Sequence, residues 1–113
     1  MRDSDAGLLK QLDGWYAAQC NGDWEHTYGV TIKTVDNPGW YFKVELTDTY
    51  LTGRAFAEIS ENRGNDKEAF LCMVKDRAFI GCCPPSRLYE VISIFLHWAD
   101  GGRTQPAPGR IDS

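Results

Sequence analysis

Nothing in this sequence limits the fold more than the reversal at Asp36-Asn37-Pro38-Gly39 and the alternating segments on either side of it. Pro38 presets φ for the second turn position, Gly39 accepts the positive φ of the third, and the following proline holds Asn37 extended. Before the turn, from His26 to Thr34, Tyr28, Val30 and Ile32 alternate with Thr27, Thr31 and Lys33. After it, Trp40, Phe42, Val44 and Leu46 resume the same alternation. A period of two marks a strand with one buried face, so the region predicts an antiparallel hairpin. Upstream, Asn21-Gly22-Asp23 stops any helix near Cys20, because Asn and Gly accept positive φ and Asp bonds its own backbone.

Helical periodicity is confined to the two ends of the chain. From Gly7 to Gln19, Leu8, Leu12 and Trp15 form one stripe with Leu9, Tyr16 and Cys20 beside it, and Ser4 or Asp5 supplies an N-cap. Gly14 inside this helix marks either a close approach to the sheet or a marginal helix. Near the other end, Leu88, Val91, Ile92, Phe95, Leu96 and Ala99 make a second stripe, with Ser86 as N-cap and Gly101-Gly102 as the stop. Between the helices, residues 48–53 have turn composition and residues 54–59 read as a third strand. Residues 61–67 are an exposed charged loop, residues 69–75 a fourth strand with Phe70, Cys72 and Val74 inward, and residues 78–82 a fifth after a turn at Asp76-Arg77.

A parallel α/β sheet needs a helix between successive strands, and the middle of this chain has none. The expected class is therefore α+β: an antiparallel sheet of four to five strands with an N-terminal and a C-terminal helix packed on one face. Residues 1–100 are expected to form a single domain. Residues 101–113, with Pro106, Pro108 and Gly109 and no periodic apolar positions, are expected to be a disordered tail.

The residues just described also resemble a known family. Leu12 and Trp15-Tyr16, Cys20, Trp24-Glu25-His26, Tyr28-Gly29, Asp36-Asn37-Pro38-Gly39-Trp40, and Phe79-Ile80-Gly81 with the closing helix are similar to the bacterial immunity 53 family over roughly residues 8 to 99. The chain departs from that pattern where Gly81 runs into Cys82-Cys83-Pro84-Pro85 in place of a more glycine-rich turn. The resemblance implies an immunity protein, not an enzyme, that binds a cognate toxin of a polymorphic toxin system and neutralises it by stoichiometric occlusion. The family motif residues Trp24, Glu25, His26, Tyr28, Asp36, Asn37, Trp40 and Tyr41 are the candidate toxin contacts. A toxin that acts on nucleic acid, such as a basic nuclease, would suit the charge of this chain.

That charge is −4, from 16 acidic and 12 basic side chains, which disfavours a nucleic-acid binder needing a basic face. Glu45, Asp48, Glu58, Glu61, Asp66 and Glu68 make up an acidic population around the sheet edges and loops, most of it solvated surface. The amino terminus has no apolar signal run and no stretch is long enough to span a bilayer, so the expectation is a cytoplasmic protein with no membrane partner. Its four cysteines would then be reduced, their spacing fits no zinc pattern, and no cofactor is implied; Cys20 and Cys72 read as small core residues.

Three sites have chemical alternatives. Glu25 and His26 are an acid–base pair by type, yet neighbours on a strand point to opposite faces, so bonding to local backbone competes with catalysis and with partner contact. The turn at residues 36–39 needs its residue types for dihedrals alone, although Trp40 and Tyr41 are also the kind of aromatic anchors found at interfaces. Cys82 to Arg87 has the length of a rhodanese-like sulfurtransferase loop, but Pro84 and Pro85 remove backbone N–H groups an anion would need. His97 is expected to be a solvated helix histidine.

Overall fold

The computed structural model describes residues 3–61 and 69–101. Along the chain come α1 (Asp3–Gln19), a single helical turn α2 (Trp24–Thr27), β1 (Val30–Val35), β2 (Gly39–Glu45), β3 (Ile59–Glu61), β4 (Phe70–Lys75), β5 (Ala78–Cys83) and α3 (Leu88–Ala99). The five strands form one antiparallel sheet in the order β1-β2-β5-β4-β3. The α+β class, the sheet and the two terminal helices match expectation.

Register separates the two faces of the sheet. Ile32 lies opposite Phe42, Phe42 opposite Gly81 and Gly81 opposite Cys72, while Val30, Val44, Phe79 and Val74 form the next row. The helices pack on this face. Gly81 is the seat of α3: a Cβ there would run into Val91 Cγ1, so the helix lies close to β5 because residue 81 has no side chain. Phe95 then meets Phe42, Phe79 and Trp15 with ring centroids 5.9, 5.2 and 5.0 Å away. Through Trp15 and Leu12, both buried, α1 joins α3. Phe42, Val44, Phe79, Val91 and Phe95 are at most 1% exposed, which places the centre of the core between α3 and strands β2 and β5.

Residues 46–58 close the same face. Leu46 and Leu51 are fully buried, and Phe56 packs edge-on against Phe79 and Trp98. Polar ties hold this segment to the helices: the Trp15 indole donates to Tyr50 Oη, the Tyr50 hydroxyl donates to the Ala99 carbonyl, and the Trp98 indole donates to the Ala55 carbonyl. Arg54 donates to the Trp98 and Ala99 carbonyls, satisfying orphan acceptors at the negative end of α3.

Several local expectations are corrected. The first strand begins at Val30 rather than His26, because Trp24–Thr27 closes a helical turn through the Tyr28 N–H to Trp24 carbonyl bond. Gly39 has no positive φ; it follows a cis Asn37-Pro38 bond, and its Cα faces the Cys83 carbonyl so closely that a Cβ would overlap it. Residues 54–58 are irregular and only Ile59–Glu61 pairs as β3. Gly81 lies within β5, not in a turn, and β5 extends to Cys83. Ser86 does not cap α3; it adopts φ 77° and Arg87 is the capping residue. Space around Gly14 is open, which leaves the marginal-helix reading. Cys20 is exposed rather than in the core, whereas Cys72 is buried. Asp66, Glu68, most of the predicted 61–67 loop and the predicted tail from 102 onward lie outside the described residues, as do the side chains of the expected N-caps Ser4 and Asp5.

Candidate functional site

The predicted motif residues fall into two groups at opposite ends of β1. Val30 begins that strand and Val35 ends it, so Trp24–Tyr28 and the hairpin turn are separated by about 20 Å of extended chain. At the first end, Trp24 is 3% exposed, donates its indole N–H to the Thr47 carbonyl at 2.9 Å, and lies among Trp15, Tyr16 and Tyr28. Glu25 folds back to accept from the Asn21 and Gly22 N–H groups at 3.0 and 2.8 Å, while Asn21 Oδ1 accepts from Asp23 and Trp24. Its own backbone N–H, followed by those two donors, holds the Glu25 carboxyl below the usual range. These bonds turn the chain from α1 into β1. His26 is exposed, and Glu25 is committed to backbone donors.

At the second end, Asp36 and Asn37 are exposed in the turn and Trp40 and Tyr41 are half-buried on opposite faces of β2. Val35, Asn37, Pro38, Trp40, Tyr41, Ala69, Cys82, Cys83 and Pro84 line a recess of about 130 Å³. Its lining is mostly apolar. A closed apolar cavity of about 150 Å³ takes up benzene, so this recess has room for one side chain and not for a drug-sized ligand.

The Cys82-to-Arg87 segment is arranged against sulfur transfer. Successive residues of β5 alternate, so Cys83 is buried on the helix side while Cys82 is half-buried on the other. Burial raises both thiols, Cys83 to about 11, which keeps them protonated and poorly nucleophilic near neutrality. Arg87 donates through Nε and Nη2 to both oxygens of Glu90, at 2.9 and 2.6 Å, reaches Glu61 at 3.5 Å, and lies 4.2 Å from the Phe70 ring centroid. Its cation is used in tying α3 to the sheet. Among the described residues no three His, Cys, Asp or Glu side chains gather to hold a metal, and no helix is long and apolar enough to cross a membrane.

The second face of the sheet was not singled out by the sequence. It carries Tyr41 and Lys43 from β2, Leu71 and Met73 from β4, Ile80 and Cys82 from β5, and Thr31, Lys33 and Val35 from β1. All the described helices and residues 46–58 pack on the opposite face, so Tyr41, Lys43, Leu71, Met73, Ile80 and Cys82 are only half-buried, by their own cross-strand neighbours, and Thr31, Lys33 and Val35 are exposed. Lys33 sits over the Tyr41 ring at 5.3 Å and Lys43 pairs with Glu45 at 3.2 Å. The available signal was the off-phase residues of β4 and β5: Leu71, Met73 and Ile80 occupy positions a solvated face would give to polar residues.

One family model, described as Immunity protein 53, matches residues 9–100. No curated protein and no solved structure matches the chain.

Proposed function

This chain belongs to the immunity protein 53 family, and from that premise we propose that it binds a cognate toxin of a bacterial polymorphic toxin system and neutralises it by stoichiometric occlusion. The family match over residues 9–100 carries the proposal. Several side chains with catalytic potential support it by being engaged in structure: Glu25 with backbone donors, Arg87 with Glu90, and the Cys82 and Cys83 thiols held protonated. A net charge of −4 favours the approach of a basic toxin, such as a nuclease, through long-range attraction that raises the encounter rate.

Co-expression with the toxin domain encoded beside this gene tests the reading. Expected are rescue of growth and a one-to-one complex burying roughly 1,200–2,000 Å². Growth arrest despite folded protein, with no complex, overturns it.

A further inference from the structure

Resting on that reading, we infer that the toxin docks on the open face of the sheet and not on the helix layer, meeting it with an apolar surface bordered by carboxylates and placing one side chain in the recess at the hairpin end. Tyr41, Met73 and Ile80 supply the apolar centre. Tyr and Met are enriched at protein interfaces, and half-buried apolar side chains over which no described residues form a layer lose further water contact when a partner arrives.

The charge of this face identifies the partner's chemistry. The chain as a whole is acidic, yet Lys33, Lys43 and Lys75 stand on the open face with Glu45 as the opposing charge. A second copy of the chain is disfavoured, since face-to-face apposition would set three lysines against three lysines. A partner with carboxylates around an apolar patch satisfies both components. Long-range attraction by the net charge and local pairing by these lysines are separate effects, because exposed charges are screened beyond about 8 Å at physiological salt.

Area argues for including the recess. Four full-length strands span about 19 Å across and about 20 Å along, a projection of roughly 400 Å². A stable interface takes roughly 800 Å² per partner, so a protein seated on the sheet also reaches beyond it. Val35, Tyr41 and Cys82 line the recess and belong to the open face, which makes the hairpin end the continuous extension.

The experiment is titration calorimetry of the full chain against the adjacent toxin domain, with circular dichroism melting of each variant. Ile80→Glu is expected to weaken binding about thirtyfold or more, and Val35→Glu at the recess about tenfold. The double variant Lys43→Glu/Lys75→Glu, at exposed or half-exposed positions that leave the core untouched, is expected to lose about tenfold, with the loss growing at low salt. Leu9→Glu on α1 and Tyr89→Glu on α3, exposed apolar positions of the helix layer, should bind as the parent does. If Ile80→Glu fails to fold, Met73→Thr takes its place, with the same direction expected. Parent-like affinity in folded open-face variants, or equal loss in the helix-layer variants, overturns this inference alone. A parent that binds no toxin removes the proposed function and this surface with it.

Discussion

The two faces of the sheet share five strands and differ in what their side chains are for. On the covered face the central positions are apolar, with Gly81 admitting a helix, and Phe79 meets Phe42, Phe56, Phe95 and Trp98. On the open face, apolar Leu71, Met73 and Ile80 alternate with lysines and gain only partial shelter. Burial in the folded chain accounts for the first composition and leaves the second unexplained. On the docking proposed above, stability and recognition fall on opposite sides of one ribbon.

Adjacent residues of β5 provide the sharpest break of that contrast. Phe79→Ala removes a fully buried ring and is expected to cost about 3–5 kcal/mol, a large share of the roughly 5–15 kcal/mol that holds a domain of this size. Ile80→Ala, one residue along, should cost about 1–2 kcal/mol, since its methyl groups are half-exposed in the folded state. Urea denaturation of the two variants decides it; equal losses would mean that the open face is also covered.

Gly81 and Cys82 repeat the test at smaller amplitude. Gly81→Ala pushes a methyl group into Val91 and should destabilise by about 1–3 kcal/mol. Adding Val91→Ala should recover part of that loss, so the pair is less than additive, with a coupling of at least about 0.5 kcal/mol. Cys82→Ser on the open face should be close to neutral.

This division was partly legible in the sequence. Alternation around the hairpin revealed β1 and β2, and the stripe of Val91, Ile92 and Phe95 revealed the core helix, because each pattern repeats over several periods. Strand order was not accessible, since the pairing of β2 with β5 joins residues some forty positions apart and depends on packing rather than on local preference. The first strand starts at Val30 rather than His26 for a local reason: Glu25 satisfies the Asn21 and Gly22 N–H groups and stabilises a helical turn that alternation alone does not reveal. Gly39 needed closeness to Cys83 rather than a positive φ, and a sequence shows glycine without showing which of the two it serves. The open face is not marked by alternation, because Leu71, Met73 and Ile80 are apolar in the phase that a solvated face would fill with polar residues.

The boundary between the two faces offers a gain in stability. Ser86, in the loop that carries β5 into α3, holds φ 77°, where a Cβ is unfavourable by about 1–2 kcal/mol. Ser86→Gly relieves that cost but gives the unfolded chain more freedom, so a net gain of up to about 1 kcal/mol is expected. Thermal melting should show a higher Tm with unchanged toxin affinity, because the residue belongs to neither the covered core nor the open face.

The smallest expected effect concerns Glu25, and it separates a motif that serves folding from one that touches the toxin. Its carboxyl is held below the usual range by backbone N–H donors, so its contribution is present above the unfolded value of about 4.3 and is lost as pH falls through the lower folded value. The difference in Tm between the parent and Glu25→Gln should therefore be constant near neutrality and shrink toward zero in that acidic window. At pH 7 the variant should bind the toxin as tightly as the parent, since Glu25 faces the turn between α1 and β1, away from the open sheet. Weakened binding with an unchanged pH profile would place the toxin against Trp24-Glu25-His26, and the separation between the two faces would then fail at the very residues that mark the family.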